Sequence, residues 1–115
     1  MPLLQFDLIQ GRTAEEVQTL LDVAHEVVLQ AFNVPPRDRY QIVHENPANY
    51  MVFQDTGLGF ERSNKLVVVR VFTSPRSEEQ KTLFMKLLAE QWAKHCDIDG
   101  RDLFISFITN SKGDW

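Results

Sequence analysis

The second half of this chain repeats the first, and a repeat of this length leaves few folds open. A shift of 64 residues carries Arg12-Thr13 onto Arg76-Ser77 and Glu15-Glu16 onto Glu79-Gln80. The same shift carries Leu20-Leu21 onto Phe84-Met85, Val34 onto Ile98 and Arg37-Asp38 onto Arg101-Asp102, with no gap. Each half opens on a strand. Residues 2–9 put Leu4, Phe6 and Leu8 on one face and Leu3, Gln5, Asp7 and Ile9 on the other. Lys65–Thr73 holds Leu66-Val67-Val68-Val69, apolar on both faces and therefore expected to be buried on both. A capping box follows each strand, Thr13 with Glu16 and Ser77 with Gln80. The first helix then runs to about Phe32. Its stripe of Val17, Leu20, Leu21, Ala24, Val27, Val28 and Ala31 has helical spacing, and Pro35-Pro36 closes it. The second runs to about His95, with Phe84, Leu87, Leu88 and Trp92 on its buried side. Strands at Tyr40–Val43 and Leu103–Ile108 complete the halves. The stretch between them, 45–64, reads as loop, with a short strand expected at Tyr50–Phe53.

Two β-α-β units with right-handed crossovers assemble most simply into one four-stranded mixed sheet with both helices on one face, an α+β fold. A two-fold axis between the units makes their strands antiparallel to each other. The chain is expected to be one domain over 1–115, with repeats at about 2–45 and 65–109. No helix covers the second face of such a sheet. The expectation is a large exposed apolar area, and hence an oligomer.

Composition narrows the function by exclusion. The net charge is −4 and the twelve basic residues are scattered, so no nucleic-acid surface is expected. No apolar run approaches the ~20 residues of a membrane span. The one cysteine, Cys96, excludes an internal disulfide and reads as a small buried helix-end residue. No signal peptide is apparent, and a cytoplasmic location is expected. His25, His44 and His95 lack metal-ligand spacing with the cysteine, so no metal site is expected. Gly57-Leu58-Gly59 lacks the strand-to-helix setting of a phosphate loop.

Pro2 is the chemically unusual residue. If Met1 is removed, Pro2 carries a free secondary amine, which no internal proline can. A free α-amino group titrates near about 7.7–8.0. Burial lowers that value and a neighbouring carboxylate raises it. The bland alternative is a second-position proline that merely starts a strand. Topology brings two further groups to Pro2. Asp38 precedes the strand parallel to residues 2–9, so it sits at the sheet edge where Pro2 sits. Arg76 follows the antiparallel strand 65–73 and returns to that edge. A cation at a helix start opposes the helix dipole, which suits a role in anion binding. The other edge carries Leu66, Asp102 and Arg12, where the proline's equivalent is an internal leucine.

An amino-terminal proline, a β-α-β duplication and Pro35-Pro36-Arg37-Asp38-Arg39-Tyr40 together resemble the tautomerase superfamily. Phe6-Asp7-Leu8-Ile9, Asp55-Thr56-Gly57-Leu58-Gly59, Pro75-Arg76-Ser77-Glu78, Asn110-Ser111 and Asp114-Trp115 resemble the malonate semialdehyde decarboxylases within it. The resemblance spans essentially the whole chain. It implies a homotrimer, a small oxo-acid substrate and no metal or organic cofactor. It implies a catalytic Pro2 that polarises the substrate carbonyl, an Asp38 that orients the site and helps activate water, and an Arg76 that holds the substrate carboxylate. The family reads Arg-Pro-Arg where this chain reads Ser74-Pro75-Arg76, so one of two carboxylate-binding arginines is replaced by a hydroxyl. The family also continues past the position of Trp115 with a glycine- and phenylalanine-rich tail that helps wall the pocket, a role Trp115 itself fits. The resemblance implies a cofactor-independent lyase. The readings beside it are a phenylpyruvate-type keto-enol tautomerase and a non-catalytic trimeric binding module.

Overall fold

The elements follow the repeat in order, in a computed structural model that describes all residues from Met1 to Trp115. Strand β1 is Pro2–Ile9, helix α1 Ala14–Phe32 and strand β2 Tyr40–Asn46. Strand β3 is Val67–Thr73, helix α2 Glu78–His95 and strand β4 Leu103–Thr109. They form one sheet in the order β2-β1-β3-β4. Within each repeat the strands are parallel, with Leu3 opposite Tyr40 and Val67 opposite Leu103. Between repeats β1 and β3 are antiparallel, with Pro2 opposite Thr73 and Leu8 opposite Val67. This is the four-stranded mixed sheet expected from the duplication.

Both helices lie on one face. Leu4, Phe6, Leu8, Val67, Val69 and Val71 from the central strands pack with Leu20, Ala24, Val28, Phe84, Leu88 and Trp92 in one buried cluster. The Trp92 indole N–H donates to the Leu20 carbonyl at 3.1 Å, so the largest core side chain leaves no polar atom unpaired. Both expected capping boxes form, each with the hydroxyl and the N3 side chain bonded reciprocally to backbone N–H groups. Thr13→Ala is expected to cost about 1 kcal/mol, read as a lowered denaturant midpoint at unchanged m-value.

Local boundaries differ from the sequence reading for identifiable reasons. Helix α1 ends at Phe32 as expected, but its stop is the cap Asn33, which adopts the left-handed conformation (φ 53°) and returns its N–H to the Leu29 carbonyl ahead of the prolines. Strand β2 runs three residues past Val43, to Asn46. Tyr50–Phe53 is not a strand. Ala48–Tyr50 forms a 3₁₀ turn, with the Tyr50 and Met51 N–H groups bonded locally to the carbonyls of Pro47 and Ala48. Met51 and Phe53 instead lie over the helix-free face, where they pack on Ile9, Leu66 and Val68. That loop accounts for the burial of β3 on both sides, and it shrinks the exposed apolar area that was expected there. The uncovered part of the face is mixed. Tyr40, Ile42 and Phe104 are exposed. Between them Arg70 donates to Asp7 at 2.9 Å, with His44 at 3.5 Å from the same carboxylate. No helix is long and apolar enough to cross a membrane.

Candidate active site

The amino-terminal end of β1 is buried at Pro2, although Met1 before it is exposed. With Met1 in place the Pro2 nitrogen is an amide, and the chain's α-amine belongs to Met1. That amine lies 3.8 Å from the Asp38 carboxylate, whose side chain is only 18% exposed. The terminal amine and Asp38 are therefore neighbours with Met1 in place.

The loop that presents Asp38 is pinned to α1. The Asp38 N–H closes a turn on the Pro35 carbonyl at 2.9 Å. His25 Nε2 lies 2.7 Å from the Pro36 carbonyl. A carbonyl only accepts, so Nε2 carries the proton of this bond. Gln41 donates to the Leu21 carbonyl at 2.8 Å, and Arg39 donates to both Gln41 and Asp22. The hydrogen bonds from Arg39 and then Gln18 hold the Asp22 carboxyl below its ordinary range. His25 is 7% exposed and lines the same cleft as Pro2 and Asp38. Sequence reasoning placed it in a helix without giving it a task. The available signal was its position beside Ala24 and three residues before Val28, on the buried stripe.

Arg76 reaches this end from the other side. Thr73, fully buried, pairs with Pro2 across the sheet. Its hydroxyl accepts from Arg76 Nε at 3.1 Å. The guanidinium carbon stands 5.0 Å from the centroid of the Phe32 ring, a cation–π contact that fixes its plane. The side chain's one protein hydrogen bond uses Nε, so both terminal nitrogens remain for a ligand. Thr73 and Phe32 were not singled out from sequence. Ser74 is the next residue after Thr73 and is half-buried. The Asn110 N–H is bonded to the Thr73 carbonyl at 2.8 Å, which ties the chain after β4 to this end of the sheet, while Trp115 itself is about half exposed and no contact joins it to Pro2, Asp38 or Arg76. Arg70 does not stand in for the missing arginine, since it is held by Asp7 on the helix-free face.

The cleft between Pro2, His25, Asp38 and Tyr40 is too narrow in one protomer to hold a water molecule. No group of three or more His, Cys, Asp or Glu side chains is arranged to hold a metal ion.

Fold and site together define a duplicated β-α-β protein with a proline at position 2 set against a carboxylate and flanked by a guanidinium. Two family models described as "Tautomerase enzyme" match residues 38–115 and 2–61. The chain is 53% identical, over all of its length and 89% of the other's, to the probable tautomerase YrdN of Bacillus subtilis (strain 168). Crystal structures of malonate semialdehyde decarboxylase, described for its decarboxylase and hydratase activities, superpose with a TM-score of 0.94. That likeness is at 45% identity and covers 98% of this chain and 88% of that one. A second malonate semialdehyde decarboxylase, inhibited by 3-bromopropiolate, superposes at 0.93 with 32% identity over 98% of this chain and 86% of that one. The chain belongs to the tautomerase family of enzymes.

Proposed function

We propose that the protein is a cofactor-independent enzyme that decarboxylates a small β-oxo acid of the malonate semialdehyde type, with Pro2 as its catalytic amine. The observation that carries this reading is the 3.8 Å approach of the chain's α-amine to Asp38 at the strand end where Thr73 holds Arg76. Loss of Met1 moves that amine onto Pro2. The Asp38 carboxylate favours the cationic form. Arg76 binds the substrate carboxylate through its two terminal nitrogens. The bond from the α-carbon to the carboxylate breaks, and its electron pair becomes the enolate. The Pro2 cation stabilises the developing oxyanion, and a proton returned to carbon gives the aldehyde. Asp38 orients the amine and can help activate water.

The enzyme on this reading is a homotrimer. The cleft at Pro2 is closed in one protomer, and exposed Tyr40, Ile42 and Phe104 lie on the face that no helix covers. A neighbouring copy on that face, together with Trp115, would supply the missing walls.

A second reaction is favoured by Ser74. A neutral hydroxyl brings no charge with which to hold the carboxylate out of the carbonyl plane, where the breaking bond aligns with the carbonyl π system, so the site suits enol–keto transfer on a 2-oxo acid such as phenylpyruvate. There Pro2 acts as the neutral amine, moving a proton between oxygen and carbon. The two reactions need opposite protonation states of one nitrogen.

The test is turnover of malonate semialdehyde beside ketonisation of phenylpyruvate by protein whose intact mass lacks methionine. Turnover of neither would leave the non-catalytic trimeric module as the better reading. Ser74→Arg should raise kcat/KM for malonate semialdehyde by about tenfold, the worth of one charge-assisted hydrogen bond, without a matching gain on phenylpyruvate. An equal rise on both would remove Ser74 as the discriminating position.

A further inference from the structure

The turn that presents Asp38 has a twin in the other half of the chain, and the two differ in what holds them. The 64-residue shift pairs Pro35-Pro36-Arg37-Asp38 with Asp99-Gly100-Arg101-Asp102. Both turns close in the same way. The Asp38 N–H donates to the Pro35 carbonyl at 2.9 Å, and the Asp102 N–H to the Asp99 carbonyl at 2.9 Å. At the far end the Asp99 side chain also accepts from the Arg101 N–H at 3.0 Å, and Ser63 aims the Asp102 carboxylate by bonding to it directly. At the near end neither support exists. The charged partner of the Asp38 carboxylate is the α-amine, 3.8 Å away, so its direction is set by the backbone beneath it. That backbone is held from α1, where His25 Nε2 meets the Pro36 carbonyl at 2.7 Å. The same shift puts Ala89 in place of His25, so the far turn has no counterpart of this bond.

The Pro36 carbonyl belongs to the central peptide of the turn. Flipping that peptide interconverts turn types I and II and reorients the residue that follows. The flipped form needs a positive φ at Arg37, and Arg37 has none. A buried donor on the carbonyl opposes the flip, because the flipped turn would leave Nε2 unpaired inside the protein. His25 is buried, so the full cost applies. The anchor on the other side of Asp38 is weaker. Arg39 pairs with Asp22 at 2.7 Å, but the two side chains are 34% and 54% exposed, where an ion pair contributes little.

We propose that His25 is the positioning residue for Asp38: its Nε2–H locks the central peptide of the 35–38 turn and so aims the carboxylate at the amine of Pro2. The inference rests on the Pro2–Asp38 pairing proposed above and assigns the group that enforces it. His25 lines the cleft with Pro2 and Asp38, but its proton is committed to the Pro36 carbonyl, so it acts through the turn. The other charged or titratable groups at the cleft are Arg39 and Tyr40, and Arg76 approaches the same strand end from Thr73.

The experiment follows the Pro2 nitrogen directly, by NMR titration of protein carrying isotopically labelled proline and lacking methionine by intact mass, beside steady-state kinetics. Asp38→Asn sets the reference, since loss of the carboxylate should lower the titration midpoint of the amine. His25→Leu fills the space without a donor. It should move the midpoint in the same direction and cut kcat by about tenfold at nearly unchanged KM, because Arg76 still grips the substrate. His25→Gln, which places an N–H near the Nε2 position, should restore both. If His25→Leu does not fold, His25→Asn takes its place, with an amide that falls short of the carbonyl. A role in packing alone would lower the unfolding midpoint of these variants and leave the amine titration where it is in wild type. An unmoved amine in His25→Leu beside a shifted one in Asp38→Asn would therefore overturn the positioning role and leave the pairing of Pro2 with Asp38 intact. A raised midpoint would overturn it as well, because His25 would then be acting on the amine as a cation. So would a His25→Gln protein that behaves like His25→Leu. An unmoved amine in Asp38→Asn itself would remove the pairing, and the inference with it.

Discussion

Replacing Pro2 by alanine is expected to lower kcat by about 10²–10⁴-fold, the range typical of a positioned acid–base group, with the unfolding midpoint nearly unchanged. The alanine chain still ends in an amine, but a primary one, so the secondary amine and the ring that fixes its direction are both lost. Stability should be spared because Pro2 adds only its small ring to the end of β1, and the side chains that pack the core begin at Leu4. The companion measurement is intact mass across preparations with different degrees of methionine removal. Turnover should track the fraction of chains that begin at Pro2. Full activity in chains that retain Met1, or unchanged kcat in Pro2→Ala, would rule the amine out, because an amide nitrogen has no basicity to contribute.

Arg76→Ala should lower kcat/KM by about 10- to 100-fold, from the loss of roughly 1.5–3 kcal/mol of charge-assisted hydrogen bonding. Most of the effect should fall on KM if the guanidinium grips the carboxylate equally before and during reaction. It should fall on kcat if the grip tightens as carbon dioxide departs. Arg76→Lys keeps the charge but lacks the planar fork, and it cannot reproduce both the Nε bond to Thr73 and the stack on Phe32. It should therefore recover only part of the loss. Wild-type kinetics in Arg76→Ala would mean that the carboxylate is bound elsewhere.

Much of this arrangement is legible in the residues alone. A gapless repeat with two capping boxes leaves almost no freedom in the order of elements. The antiparallel relation of the halves then brings Pro2, Asp38 and Arg76 to one end by topology. What escaped depends on side chains that meet without any local pattern. Met51 and Phe53 cover the sheet from a stretch whose composition reads as a strand, because alternation looks the same whether the partner is a ladder or a flat apolar face. The end of α1 at Phe32 was legible but its left-handed cap at Asn33 was not, because Pro35-Pro36 two residues on already accounted for the stop. The bond from His25 to the Pro36 carbonyl joins a helix to a loop, and no periodicity reports it. The same holds for Thr73 and Phe32, which align Arg76 across elements of different repeats.

The capture of Asp102 by Ser63 has a consequence for how the chain could be cut and rejoined. At the near end Asp38 faces a chain terminus, whereas at the far end the polypeptide runs through, and Ser63 serves the carboxylate instead. Asn110 is tied to Thr73, the register partner of Pro2, so the start of β1 and the segment just after β4 come to the same end of the sheet. They are close enough in topology for a linker to join them, and a circular permutant could then be opened just before residue 66. That permutant would place a new α-amine beside Asp102 and turn Pro2 into an internal residue. The two halves would exchange their assignments while every strand pairing stayed as it is.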